Sequence, residues 1–166
     1  MSKLRNQLDH INQRITQAFS QSGRASSHPV KLLAVSKRHS LEKILALYEL
    51  GQKDFGESYV QEALDKIKQA HKQDIIWHFI GPIQSNKTRD IAENFHWVHS
   101  IDRLKIAQRL SAQRPTEQLP LSVCLQINIS QEPQKSGFGQ EEIFDVFSDI
   151  LKLPNLNIRG LMAIPK

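Results

Sequence analysis

Between Leu4 and Phe19 the apolar residues Leu4, Leu8, Ile11, Ile15, Ala18 and Phe19 recur mostly every three or four positions, with polar residues between them. That is the period of an amphipathic helix, and it predicts one over residues 3–20, closed off by Gly23 and Pro29. The pattern then changes. Lys31-Leu-Leu-Ala-Val-Ser-Lys37 is a short apolar run of strand type. Ser40 to Gly51 follows with an N-cap candidate at its start and a glycine at its end, as a helix requires. The same alternation returns with Asp54-Phe-Gly-Glu-Ser58 before a helical pattern through Val60, Ala63, Leu64 and Ile67. Ile75 to Gly81 precedes Asn86 to Phe95, and Trp97 to Ile101 precedes Leu104 to Ala112. Leu121 to Ile129 precedes Glu141 to Leu153, and Asn157 to Ile164 is a sixth strand. Strand starts near 31, 54, 75, 97, 121 and 157 lie about one βα unit apart, which predicts parallel strands covered by helices in a single domain over 1–166.

A doubly wound sheet and a (β/α)8 barrel both begin in this way, and the polar residues separate them. Nearly every predicted strand ends in a cluster able to do chemistry: Ser36-Lys37, Gly56-Glu57-Ser58, His78 with Gly81, His99-Ser100, Asn128 and Pro165. In a barrel the C-terminal ends of many strands converge on one mouth, whereas an open sheet concentrates function at one switch point. The expected fold is therefore an α/β chain forming about six of the eight strands of a parallel TIM-type barrel. Neither Gly-x-Gly-x-x-Gly nor a phosphate loop of the Gly-x-x-x-x-Gly-Lys type occurs, so the usual grounds for a dinucleotide or nucleoside triphosphate are missing.

Composition narrows the surroundings more than the chemistry. The 166 residues are 39% hydrophobic and 23% charged, enough to build a core without metals or cross-links. Lys plus Arg number 22 against 17 Asp plus Glu, a net charge of +5 that attracts anions. The charges alternate in sign with no run of five, so a nucleic-acid-binding module is a third reading and no nucleic-acid partner is expected. A single cysteine, Cys124, excludes an intrachain disulfide and reads as a mid-strand core residue. The first ten residues lack a signal-peptide core, and no apolar run approaches a membrane span. A cytoplasmic location without a membrane partner is expected.

Lys37 is the sharpest candidate. At the end of an apolar strand a lysine either reaches solvent or is partly desolvated, and desolvation favours the neutral amine that forms an imine with an aldehyde. Each other candidate has a plain structural alternative. His78, in an apolar strand, contacts a ring or substrate, or is a satisfied core histidine. Asn86 and Lys87 open a helix suited to an anion, or are solvated first-turn residues. Asn128, inward at a strand end, needs hydrogen-bond partners in either case. Glu57 orients a water or a lysine, or makes a structural salt bridge. Lys135 lies in the loop Lys-Ser-Gly-Phe-Gly139, which either closes over the mouth or is an ordinary loop. No His/Cys/Asp/Glu set has metal-ligand spacing, and no serine sits in a nucleophile elbow.

Seven separated blocks share one likeness. They are Ala34-Val-Ser-Lys37, Phe55-Gly-Glu-Ser-Tyr-Val-Gln-Glu62, Trp77-His-Phe-Ile-Gly-Pro-Ile-Gln-Ser-Asn-Lys87, Val98-His-Ser-Ile-Asp-Arg103, Gln126-Ile-Asn-Ile-Ser130, Lys135-Ser-Gly137 and Gly160-Leu-Met-Ala-Ile-Pro165. In these blocks the chain resembles the pyridoxal phosphate homeostasis proteins, one-domain relatives of the alanine racemase barrel (the type III fold of pyridoxal phosphate proteins). The resemblance implies a protein that holds pyridoxal 5'-phosphate on Lys37 as an imine and buffers or delivers it, without turnover, to enzymes that require it. The expected cofactor-binding set is Lys37, Ser58, His78, Asn86, Asn128 and Lys135. The family commonly has Asn where Ser58 stands, and serine's shorter reach implies a water between it and the cofactor.

The family also continues through two further strands, whose loops hold the phosphate, so the chain reads as truncated after strand six. A full-length form is expected to be a monomer, whereas the truncated form is expected to associate through its uncovered strand edge. The alternative reading is a racemase or decarboxylase using the same imine as an electron sink. Racemization needs a second acid/base group, and the tyrosines are Tyr48 on a helix and Tyr59 at a strand-to-helix junction.

Overall fold

The computed structural model describes residues 2–23, 29–71, 73–130 and 136–165. Six strands form one sheet in the order β1-β2-β3-β4-β5-β6, and every neighbouring pair is parallel. They are β1 (Ala34–Val35), β2 (Asp54–Glu57), β3 (Ile76–Phe79), β4 (Trp97–Ile101), β5 (Leu121–Gln126) and β6 (Leu156–Met162). A doubly wound sheet reverses its strand order at a switch point; a barrel does not. Strictly sequential pairing therefore gives the arc of a partial (β/α)8 barrel, as the sequence predicts.

The helices are α1 (Ser2–Gln21), α2 (Leu41–Tyr48), α3 (Val60–Gln69), α4 (Thr88–Asn94), α5 (Leu104–Gln113) and α6 (Glu142–Leu151). Right-handed crossovers place the connecting helices on one face of the sheet. There Phe55, Trp77, Phe79, Val98 and Val123 of the strands pack with Ile44, Ala63, Ile91, Ile106, Leu110 and Ile150 of the helices, all buried in one cluster. Register puts Val35, Gly56, His78, Trp97 and Ser122 on the opposite, concave face.

Several local expectations are adjusted. The run Lys31 to Lys37 pairs as a strand over Ala34–Val35 only, although Ser36 N–H still donates to Gly56 O at 2.9 Å. Leu32 O instead accepts from the Gln52 side chain at 3.0 Å, which takes it out of the ladder. Ser40 stands at the N-cap of α2 with extended backbone, but its side chain caps no amide. The segment opening at Asn86 is a 3-10 turn, Ser85–Lys87, ahead of α4. Cys124 lies mid-strand but is half buried, because it shares the concave face with Ser122. Burial raises its thiol pKa, which keeps the sulfur protonated and inert. No described helix is long and apolar enough to cross a membrane.

Candidate functional site

The C-terminal ends of β1, β2, β3 and β5 lie at one rim of the arc, and Lys37 stands on it directly after β1. Its side chain is exposed and has no hydrogen-bond or ion-pair partner among the described residues, so it follows the solvated alternative rather than the desolvated one. The residues on either side of it are held firmly. Ser36 is buried and its hydroxyl donates to Glu57 Oε1 at 2.6 Å. Lys66, in the last turn of α3, donates to Ser36 O at 3.0 Å, to Glu57 Oε1 at 2.8 Å and to Glu62 Oε1 at 2.6 Å. The same Glu62 oxygen accepts the backbone N–H of Arg38 at 2.6 Å. Burial alone would push the Glu62 carboxyl up, but the Lys66 ammonium and the Arg38 amide outweigh it and hold the group below the usual carboxylate range. Glu57 therefore makes a buried salt bridge with Lys66, the structural one of its two sequence readings.

The other rim positions are less uniform. Ser58 is half buried, and its backbone abuts Gly81. A Cβ on Gly81 would lie 2.3 Å from Ser58 O and 2.8 Å from Ser58 Cα, so only glycine lets β3 and the β2-α3 turn meet. Gly81 O in turn accepts from the buried Ser100 hydroxyl. Gly81→Ala is expected to destabilise the chain by about 1–3 kcal/mol, the usual cost of overpacking, read as a lower midpoint in urea unfolding. An unchanged midpoint would mean that this turn has room to shift. Asn128 lines a cleft of about 280 Å³ together with Ile80, Gly81, Pro82, Gln126, Ile127, Ser136 and Ile164. Its backbone N–H donates to Phe138 O at 3.0 Å, and Phe138 N–H donates to Gln126 O at 2.8 Å, which ties the following loop to the end of β5. Asn86 is exposed on the turn after β3 and does not line that cleft. Lys135 lies outside the described residues.

His78 is placed deeper, in mid-strand on the concave face. Its Nε2 is 3.0 Å from Asp54 Oδ1 and its Nδ1 is 2.9 Å from His99 Nε2. Burial pulls the imidazole from 6.5 down to about 4, against the upward pull of Asp54. It is therefore neutral at pH 7. Because a carboxylate only accepts, the proton sits on Nε2, and Nδ1 must accept from His99. Trp97 stacks on His78 with ring centroids 5.5 Å apart at 15°, and the Arg159 guanidinium lies 5.7 Å from the Trp97 ring. Both nitrogens of His78 are thus satisfied within the chain, which is what its core reading requires.

Sequence reasoning did not anticipate Asp54, His99, Lys66 or Glu62 as partners of these groups. The Glu62/Lys66 spacing of four was available as an ion-pair signal on a helix. The couplings to Ser36 and His78 span 21 to 30 residues and needed the sheet register.

The sequence pattern of the alanine racemase N-terminal domain matches residues 7–166, nearly the whole arc. A protein of Vibrio alginolyticus named pyridoxal phosphate homeostasis protein is 50% identical over 169 residues, covering 99% of this chain and 72% of its own length. The chain belongs to the pyridoxal phosphate homeostasis protein family. A Pseudomonas aeruginosa member of the same name is also 50% identical, with all of this chain and 72% of that one covered. Among solved structures, the PipY protein of Synechococcus elongatus with pyridoxal phosphate bound is 35% identical. It superposes with a TM-score of 0.76 over 90% of this chain and 68% of its own. For a family member of this kind the rim carrying Lys37 is the natural place to test for the cofactor.

Proposed function

We propose that the chain binds pyridoxal 5'-phosphate as an imine on Lys37 at the C-terminal rim of the arc, and serves to hold and hand over the cofactor. The observation that carries this reading is that an amine with no partner among the described residues projects from a turn whose flanking residues are both fixed. An aldehyde can reach such an amine without displacing a protein contact. The arc geometry supports it, since barrels gather function at this rim. The cofactor reported with PipY and the shared family name support the identity of the aldehyde.

The residues present fit the group in part. Lys37 offers the amine, and Ser58, directly after β2, stands between it and the cleft lined by Gly81 and Asn128. When bound, the cofactor supplies an aldehyde that condenses reversibly with an amine. The chain's own part is to present Lys37 from a fixed turn. Holding rather than turnover is favoured by the tyrosines. Tyr48 is bonded to Asp74, away from the rim, and the Tyr59 hydroxyl accepts from Arg38 Nη2 at 2.9 Å.

Titrating the purified chain with pyridoxal 5'-phosphate is expected to give a saturable visible absorbance change, with no amino-acid racemization or decarboxylation above the cofactor's own solution rate. Absence of any spectral change would remove the cofactor reading. Turnover proportional to protein would replace the carrier by an enzyme.

A further inference from the structure

The side chains that hold the Lys37 turn form one connected device. Lys66 has three N–H donors on its ammonium, and the structure uses all three: Ser36 O, Glu57 Oε1 and Glu62 Oε1. Ser36 precedes Lys37. Arg38 follows it, and its N–H is bound by the same Glu62 oxygen that Lys66 holds. Arg38 also has φ of 62°, a left-handed conformation that a non-glycine residue keeps only when its surroundings impose it. Thus the carbonyl before Lys37 and the amide after it are fixed to two side chains one turn apart on α3, and the hydroxyl of Ser36 is fixed to the end of β2.

The cost of this arrangement argues for a purpose beyond stability. Glu57 is 0% and Lys66 8% exposed at their side chains. A buried ion pair is often no better for stability than apolar side chains of the same volume, because desolvation consumes the attraction. What charge-assisted hydrogen bonds give and apolar contacts do not is direction: they fix a backbone at defined atoms. Here the fixed backbone is that of Lys37, whose side chain has no partner among the described residues.

We infer that Lys66 is a positioning residue: with Glu57 and Glu62 it clamps the backbone on both sides of Lys37, so that the Lys37 amine is presented over the rim in one place. The inference rests on the reading of Lys37 as the imine lysine. An imine carbon must be met at bonding distance, and misplacement by about 1 Å through a remote change is enough to cost on the order of a hundredfold.

The test uses the full chain and two readouts. Lys66→Met keeps length and removes all three donors. Glu62→Ala removes the acceptor for Arg38 N–H, and Glu62→Gln restores an acceptor oxygen. The dissociation constant for pyridoxal 5'-phosphate is expected to rise roughly ten- to hundredfold in Lys66→Met and in Glu62→Ala. Glu62→Gln is expected to recover most of that loss. Amide hydrogen exchange, measured without cofactor, is expected to quicken at Arg38 in Lys66→Met and Glu62→Ala while amides of β3, β4 and β5 keep their rates.

If Lys66→Met does not fold, the Glu62 pair decides alone. Affinity within threefold of the parent in variants whose Arg38 amide exchanges faster would overturn the positioning role. Failure of glutamine to rescue, with affinity lost equally in both Glu62 variants, would overturn it as well. Absence of any imine on Lys37 in the parent would instead overturn the functional reading, and the exchange data would then judge the clamp by themselves.

Discussion

Lys37→Ala is expected to weaken imine formation with pyridoxal 5'-phosphate at least a hundredfold, about 3 kcal/mol at ~1.4 kcal/mol per tenfold. The size follows from what is lost. The amine supplies the covalent bond, and the turn behind it has already fixed the backbone, so a lysine elsewhere on the rim would have to immobilise a long, solvated side chain at further entropic cost. Borohydride reduction of the loaded parent, followed by peptide mapping, is expected to place the pyridoxyl group on the peptide that contains Lys37. The same mapping of the variant is expected to show no label there and little elsewhere at low cofactor concentration. A parent labelled only at another lysine would reassign the site.

Acidification is expected to remove about 3 kcal/mol of stability between pH 7 and pH 4 through His78 alone. Its folded pKa is about 4 against 6.5 for an unhindered imidazole, so the unfolded chain binds a proton that the folded chain refuses. Stability then rises with pH wherever the unfolded state holds more protons. The contribution is complete above about 6.5 and is lost as pH falls through about 4. A difference of about 2.5 pKa units at ~1.36 kcal/mol each gives the magnitude. His96 and His99 are lowered by burial as well and add in the same direction. Urea unfolding at pH 7 and pH 4 checks this: the parent is expected to lose the full amount, and His78→Gln, which has nothing to titrate there, markedly less. Equal losses in both would place the acid-sensitive group elsewhere.

The order and spacing of the βα units were legible because they depend on local periodicity. All six strands and six helices lie where the alternation of patterns puts them. The distinction between barrel and open sheet was legible from where polar residues cluster. The extent of β1 was not, since whether residues 31 to 33 join a ladder depends on what stands beside them, and there the Gln52 side chain competes for Leu32 O. Lys37 was legible as a candidate from its place after an apolar strand. Its fixing was not, because Ser36, Glu57 and Lys66 meet only once β1 pairs with β2 and α3 packs behind. His78 shows the same limit: its sequence surroundings fit a ligand contact or a core residue equally, and only the register that sets Gly56 beside His78 brings Asp54 and His99 within reach.

One feature of the sheet bears on how loading and folding are linked. β1 is joined to its neighbour by two paired residues, Ala34 with Phe55 and Val35 with Gly56, whereas β5 and β6 share six. The strand that leads to Lys37, the proposed imine lysine, thus has the fewest paired residues, and its docking leans on the Ser36, Glu57, Glu62 and Lys66 contacts rather than on rungs. A ligand that binds only when β1 is docked draws its affinity down by the cost of docking and returns the same free energy as thermal protection, RT ln(1 + [L]/Kd). The cofactor would then act as the missing rungs of that ladder, and its release would be coupled to the opening of a single edge strand rather than to the melting of the whole sheet.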